Sequence, residues 1–165
     1  MEWVTREHPR TDRVACPWLI RKFIDADATI VYVPPDQVLA YADRTGATSF
    51  DAPGARYTHR DGKCSFETLI EEFAIADPAV AILAKVVHGA DVAEDVLSTP
   101  ESAGLLAIAD GFAFLGLDDQ RQLALELPVY DALYAWAQRR VGLTGPRRIA
   151  APTITGGRDD RRARD

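Results

Sequence analysis

The sequence predicts a single α/β (α+β) domain in which a small N-terminal sheet with flanking helices packs on a C-terminal helical bundle. The chain has 165 residues, of which 47% are apolar, and both values are typical of one globular domain. Short β-prone runs alternate with helical patterns over roughly the first sixty residues, whereas the patterns from Ser65 onward are helical. Because so small a sheet is not stable alone, we expect the two parts to share one core.

Charge divides the chain into two segments, an acidic domain over residues 1–145 and a disordered Arg/Asp-rich tail over residues 146–165. The tail contains six Arg and three Asp and has little to bury. The net charge of the whole chain is −6, so the tail's +3 leaves −9 on the domain. Because an acidic surface repels phosphate backbones, we expect no direct binding of nucleic acid.

Two strands and a helix open the predicted fold. The runs EWVT (residues 2–5) and IVYV (residues 30–33) are rich in β-branched and aromatic residues, which favour strands. Between them, apolar residues repeat at intervals of three and four and predict one face of a helix. That face consists of Cys16, Leu19, Ile20, Phe23 and Ile24.

Pro17 leaves the start of this helix open. Either the regular helix begins near Cys16 with Pro17 in its first turn, or the first turn is bent around the proline. In the first case Asp12 and Arg13 lie in a strand-to-helix loop. Loops of that kind often hold ligands in α/β proteins.

The rest of the chain predicts one further small sheet region and five helices. The run PPDQVLAYADRTG predicts a helix that ends at Gly46, and TSFDA and ARYTH predict short strands joined by a Pro-Gly turn. Three later helices have the N-cap candidates Ser65, Asp77 and Thr99, the last two followed by proline. The long final helix should be kinked by Pro128 and ended by Gly142.

Cysteine content and hydropathy indicate the compartment. Cys16 and Cys64 are too few for a disulfide framework and do not form a C-x-x-C motif, so two buried thiols are favoured over a long-range redox pair. No apolar run approaches the roughly 18 residues of a membrane span, and the first ten residues lack the apolar segment of a signal peptide. We therefore expect a cytoplasmic protein without membrane contact.

A first candidate site lies in the run HGAD. His88 and Asp91 are three residues apart at the end of a predicted helix, so their side chains can converge. A carboxylate on the buried face of a helix needs a partner, and imidazole with carboxylate is a common metal-binding pair. The alternative is a histidine stabilised by the helix dipole beside a capping aspartate.

The run YTHRDGKCSFE contains a second set of reactive side chains. His59 ends a strand candidate, and Cys64 and Glu67 open the next helix, where the helix N-terminus would lower the pKa of the Cys64 thiol. If this helix packs beside the HGAD helix, His59, Glu67, His88 and Asp91 meet and could bind Zn, Mn or Fe. The alternative is a capped turn with solvated carboxylates.

Arg13 and Arg21 are candidates for binding an oxyanion, because guanidinium groups bind such anions in a bidentate way. The alternative is surface ion pairing, for example between Arg21 and Asp25 across one helical turn.

Several blocks of the chain, from about Trp3 to Val141, resemble the C-terminal domain of ChrB-type chromate resistance proteins. They occur in the family's order and read TREHPRTDRVACPWLIRKFID, FDAPGARYTHRDGKCSFETLIEEF, DPAVAILAKVVHGAD, PESAGLLAIADGF and YDALYAW. The family's blocks map onto Asp12, Arg13, Trp18, Leu19, Ile20, Arg21, Phe23, Ile24, Asp25, His59, Gly62, Cys64, Phe66, Glu67, His88 and Asp91.

The resemblance implies an association with chromate resistance. Full-length members are described as chromate-sensing transcriptional regulators that carry an additional N-terminal domain. Under this resemblance Arg13 and Arg21 become the candidates for contacting chromate, and His59, Glu67, His88 and Asp91 those for holding a divalent metal.

Three functional hypotheses follow. The first is a binding or sensing domain for a metal ion or oxyanion. The second is a metal-dependent redox or hydrolytic enzyme in which Cys64 and Glu67 are the catalytic candidates. The third is an interaction domain, in which exposed tyrosines and the long last helix form a homodimer face.

Overall fold

The structure, a computed structural model, describes residues 1–142, so the predicted tail at 146–165 lies outside the described residues. In chain order the strands are β1 (Glu2–Arg6), β2 (Thr29–Val33) and β3 (Thr48–Ser49). The helices are α1 (Thr11–Leu19), α2 (Val38–Thr45), α3 (Ser65–Glu72), α4 (Pro78–Asp91), α5 (Pro100–Ala113) and α6 (Asp119–Arg140). Short 3₁₀ turns occupy Pro35–Gln37 and Ala93–Asp95.

The three strands form a small parallel sheet in the order β2-β1-β3. In its register Val4 on β1 lies opposite Val31 on β2 and opposite Ser49 on β3. This sheet and its flanking helices pack on the helices that follow, which confirms the predicted fold class. The two runs that the sequence predicts as strands, TSFDA and ARYTH, are mostly irregular. Strand β3 has only two residues, and Phe50 and Tyr57 form an isolated bridge.

One core joins the sheet to the helical part, as predicted. It contains Trp3 from β1, Leu19 from α1, Phe66 from α3, Leu83 from α4 and Tyr130 from α6, all fully or almost fully buried. Burial of such large side chains is the main force that holds the layers together.

Most predicted helix ends agree with the structure, with one shift. Asp77 accepts hydrogen bonds from the amides of Ala79 and Val80, as an N-cap does. Ser65, by contrast, is the first helical residue of α3, and Cys64 is the N-cap. At the end of α2, Gly46 takes a left-handed conformation with φ of 77°, which glycine adopts without strain.

Helix α1 begins at Thr11, so Asp12 and Arg13 belong to its first turn and Pro17 lies in its interior. Proline has no amide hydrogen, and the carbonyl of Arg13 four residues earlier therefore loses its usual donor. The hydroxyl of Tyr32 on β2 donates to that carbonyl at 2.8 Å. This replacement explains why the helix continues through the proline, and after Leu19 it widens into a π-helical turn over Ile20–Ile24.

We expect Tyr32→Phe to lower the free energy of unfolding by about 1 kcal/mol, because the Arg13 carbonyl then has no donor. Urea denaturation measures the loss. Pro17→Ala restores a backbone amide to the helix, so the cost of Tyr32→Phe should almost vanish in that background. Equal costs in both backgrounds would contradict this account of the hydrogen bond.

The structure also bears on the predicted exposure of the tyrosines and on membrane-spanning helices. All five tyrosines are buried or half-buried, so the expectation of exposed tyrosines is wrong, while the homodimer itself stays a prediction. Within residues 1–142, no helix is both long enough and apolar enough to cross a membrane.

Candidate functional site

A cavity of about 450 Å³ opens where β1 and β3 end, beside the start of α1 and the end of α4. Ligands of α/β proteins commonly bind at this carboxyl edge of a parallel sheet. Most of its lining side chains are charged, and the lining consists of Arg6, Arg10, Thr11, Asp12, Arg13, Asp51, His59, Ala90, Asp91, Ala93, Leu106 and Asp110.

Asp12 joins α1 to α3 from inside this cavity. Its side chain is 1% exposed, and its Oδ2 accepts hydrogen bonds from the amides of Ser65 at 2.6 Å and Phe66 at 3.3 Å. These amides begin α3, so Asp12 satisfies donors that a helix leaves free at its N-terminus. Among the described residues, no hydrogen-bond partner reaches the other oxygen, Oδ1, although that atom is buried.

His59 is the point at which three carboxylates converge. Its Nε2 lies 3.0 Å from Asp91 Oδ2 and 3.5 Å from both Asp12 Oδ2 and Asp51 Oδ1. Hydrogen bonds to Asp12 and Asp51 raise the pKa of His59 to about 10. The imidazole therefore carries a positive charge at neutral pH in this arrangement.

Asp91 is the last residue of α4 and faces the same point. Its Oδ1 accepts a hydrogen bond from the amide of Asp12 at 3.3 Å. Burial, followed by the negative charges of Asp12 and Asp51, raises the pKa of Asp91 to about 7. Three carboxylates at this spacing repel one another, and the positive charge of His59 only partly offsets the repulsion.

Asp51 is a functional candidate that the sequence reasoning missed. It follows β3 in a left-handed conformation with φ of 43°, and Arg6 holds it with Nη2 at 2.8 Å from Oδ2 and Nε at 2.7 Å from the carbonyl oxygen. Burial raises the pKa of Asp51, but hydrogen bonds from His59 and Ser65 and the charge of Arg6 keep it below its usual value. An acidic residue near the carboxyl end of the predicted strand TSFDA was the signal that could have identified it.

The two arginines predicted to bind an oxyanion lie in different places. Arg13 lines the cavity and donates to the His8 carbonyl at 3.0 Å and to Asp51 at 3.4 Å. Arg21 lies in a separate surface groove and donates to the Ala28 carbonyl at 3.2 Å. The alternative Arg21–Asp25 pair does not form either, because Asp25 accepts from the N-terminal amine at 2.5 Å.

The four predicted metal ligands separate into two pairs. His59 and Asp91 line the large cavity, whereas His88 and Glu67 lie in a second pocket of about 330 Å³. Nδ1 of His88 is 2.6 Å from Glu67 Oε2, and its Nε2 is 3.0 Å from Asp95 Oδ2. The predicted convergence of His88 with Asp91 is therefore not observed, since different neighbours hold each side chain.

Both cysteines are free thiols and buried, as predicted. Cys64 lies at the N-terminus of α3, but burial raises the pKa of its thiol, and the neighbouring Asp12 raises it further. The expectation that the helix N-terminus would lower this pKa is wrong, because loss of solvation and nearby carboxylates outweigh the helix dipole. The pKa of Cys16 is also raised by burial.

The large cavity offers ligands that suit a hard or borderline divalent cation. One ligand atom from each of Asp12, His59 and Asp91 lies within 4.8 Å of the other two. Two carboxylates and one imidazole are a ligand set that Mn²⁺, Fe²⁺ or Zn²⁺ accepts. A cation there would offset the repulsion among the carboxylates and would provide the buried Oδ1 of Asp12 with a partner.

Comparison with known proteins agrees with the resemblance in the sequence. The chain matches the family described as ChrB, C-terminal domain, over residues 3–137. Protein ChrB of Cupriavidus metallidurans is 38% identical over 111 residues, which cover 67% of this chain and 32% of that protein. The chain thus spans about a third of the length of this curated relative. No solved structure matches the chain. Its match over residues 3–137 places this chain in the family of ChrB C-terminal domains.

Proposed function

We propose that this domain binds one divalent cation through Asp12, His59 and Asp91, and that this binding serves chromate resistance. The convergence of these side chains carries the proposal, because a ligand atom from each residue lies within 4.8 Å of the other two. In addition, the buried Oδ1 of Asp12 has no hydrogen-bond partner among the described residues. The association with chromate comes from the ChrB family. His59 would exchange its proton for the cation, because only a neutral imidazole binds a metal.

The charge of the cavity favours a cation over a free oxyanion. Asp12, Asp51 and Asp91 contribute three carboxylates to its floor. Arg6 and Arg13 also line it, but both donate to Asp51, so their charge is already engaged. An anion such as chromate would meet repulsion from the remaining carboxylates.

A bound cation would change this balance and give an oxyanion a place to bind. Three protein ligands leave coordination positions open, as in catalytic metal sites. The cavity of about 450 Å³ has room for a small anion beside the cation. The domain would then recognise an oxyanion as a ligand of its metal.

The test uses Mn²⁺, because this ion prefers oxygen and nitrogen ligands to thiolates. Calorimetry on chelator-treated protein should show one Mn²⁺ bound per chain. Asp91→Asn should weaken binding by about 100-fold or more, since loss of a supporting residue alone costs up to about that factor. Asp110→Asn is the matched control, because Asp110 also lines the cavity but pairs with Arg10 and is not one of the three ligands.

Either of two outcomes would refute the proposal. One is an absence of binding by Mn²⁺, Fe²⁺ and Zn²⁺ to the wild type at this site. The other is equal weakening by Asp91→Asn and Asp110→Asn, which would mean that only the overall negative charge matters.

The second candidate function is a metal-dependent redox or hydrolytic enzyme. The open coordination positions and the adjoining cavity favour it, because substrate needs direct access to the metal. Cys64 and Glu67, the catalytic candidates from the sequence, do not line this cavity. Hydrolysis of an ester by the Mn²⁺-loaded protein, or reduction of chromate by an added thiol reductant in its presence, would support this candidate if the activity is lost in Asp91→Asn.

A further inference from the structure

A second group of metal-ligand side chains lies between the start of α3 and the end of α4. Sγ of Cys64, a carboxylate oxygen of Glu67 and a ring nitrogen of His88 all lie within 4.8 Å of one another. This group shares no residue with Asp12, His59 and Asp91. The match to the ChrB C-terminal domain family and to Protein ChrB assigns no role to these three residues.

Asp95 fixes the orientation of His88 in this group. Its Oδ2 lies 3.0 Å from Nε2 of the imidazole, on the side of the ring opposite Nδ1. Without a metal, the 2.6 Å contact between Nδ1 and Glu67 Oε2 is a hydrogen bond that Nδ1 donates. When a cation displaces this proton, Nε2 can still donate to Asp95 and Nδ1 offers its lone pair to the cation. A histidine that ligates a metal typically donates its other ring nitrogen to a carboxylate in this way.

The local backbone also fixes Glu67. The amide of Cys64 donates to Glu67 Oε2 at 3.0 Å, as in a capping box. The same oxygen lies beside His88, so the carboxylate, the imidazole and the thiol are positioned before any ligand arrives. Cys64 itself is fully buried, while Glu67 and His88 line a pocket of about 330 Å³ that leads to solvent.

We propose that Cys64, Glu67 and His88 form a second cation site, selective for a softer ion such as Zn²⁺. Thiolate with imidazole is the ligand combination that zinc prefers, and zinc sites commonly complete their shell with a carboxylate or water. The cation replaces the proton of the thiol, which leaves to solvent, and the fourth ligand comes from the pocket side. Asp95 is a positioning residue that acts through His88.

A different interpretation uses the same contacts without a metal. A protonated His88 would bridge Glu67 and Asp95 as an ion pair between α3 and the turn at Ala93–Asp95. In that interpretation the Cys64 side chain only caps the start of α3, whereas a metal site requires its sulfur as a ligand. Direct detection of a metal–sulfur bond therefore separates the two.

The experiment is a titration of the full chain with Co²⁺, which substitutes for zinc and reports its ligands by absorption. A bound thiolate gives an intense sulfur-to-cobalt charge-transfer band in the near ultraviolet. We expect the wild type to show this band and Zn²⁺ to abolish it by displacing cobalt. Cys64→Ser should lose the band, and Cys16→Ala, which alters the other buried thiol, should keep it.

Two further variants complete the design. Asp95→Asn should keep the band but weaken cobalt binding about 10-fold or more, the effect expected of a supporting carboxylate. His59→Ala should leave the band unchanged, because His59 belongs to the other group. Absence of the band from the wild type, or its persistence in Cys64→Ser, would overturn the second site without affecting the Mn²⁺ experiment on the first.

Discussion

Replacement of Asp12 by asparagine should abolish high-affinity Mn²⁺ binding while leaving the metal-free protein at least as stable as the wild type. The amide oxygen of asparagine can still accept from Ser65 and Phe66, so the start of α3 keeps its hydrogen bonds. Burial raises the pKa of Asp12 in spite of its hydrogen bond with His59, which shows that the surroundings disfavour its negative charge. Removing that charge relieves repulsion, but it also removes a metal ligand.

Two measurements on Asp12→Asn check this expectation, calorimetry with Mn²⁺ and urea denaturation in the presence of a chelator. The Mn²⁺ affinity should fall by about 100-fold or more. Asp12→Ala is the matched control: it also removes the acceptor for the α3 amides and should cost about 1 kcal/mol of stability. A large loss of stability in Asp12→Asn would show that the charge itself maintains the fold and would weaken the case for a metal site.

Gly89→Ala should lower the free energy of unfolding by about 2 kcal/mol. A Cβ at this position of α4 would lie 2.4 Å from Ser102 Oγ, 2.6 Å from Ser98 Oγ and 2.8 Å from the Asp95 carbonyl oxygen. Ser102 cannot simply turn away, since its hydroxyl donates to the Val86 carbonyl at 3.0 Å. Overpacking at about 3 kcal/mol exceeds the gain in helix propensity of about 1 kcal/mol.

Gly104→Ala is the matched control, because nothing lies within 4 Å of a Cβ at that position of α5. It should stabilise the protein by about 0.5–1 kcal/mol, the propensity gain alone. Thermal and urea denaturation of both variants measure the difference. If Gly89→Ala proved neutral, α4 and α5 would be able to separate at little cost.

The fold was largely predictable because local patterns and tertiary packing agree. The apolar face from Cys16 to Ile24 and the cap at Asp77 each follow from a few neighbouring residues. The start of α1 was not predictable in the same way. Its continuation through Pro17 depends on Tyr32, a residue of the next strand that the local sequence does not connect to it.

The candidate site was predictable in its residue types but not in its grouping. His59, His88 and Asp91 were identified from spacing and charge. The spacing of His88 and Asp91 describes one helix alone, whereas the neighbours of α4 decide where each side chain points. Asp51 was not identified because the predicted strand TSFDA includes it, whereas the strand in the structure ends at Ser49 and leaves Asp51 at the carboxyl edge of the sheet.

The hydrogen bonds from Ser65 and Phe66 to Asp12 have a consequence for spectroscopy. The proton chemical shift of a backbone amide depends strongly on the charge of the oxygen that it meets. These two resonances would therefore report a change in the charge of Asp12, such as the binding of a cation, without any label added at the cavity. The occupancy of the cavity would be readable in the backbone of α3, although the first residues of this helix do not line the cavity.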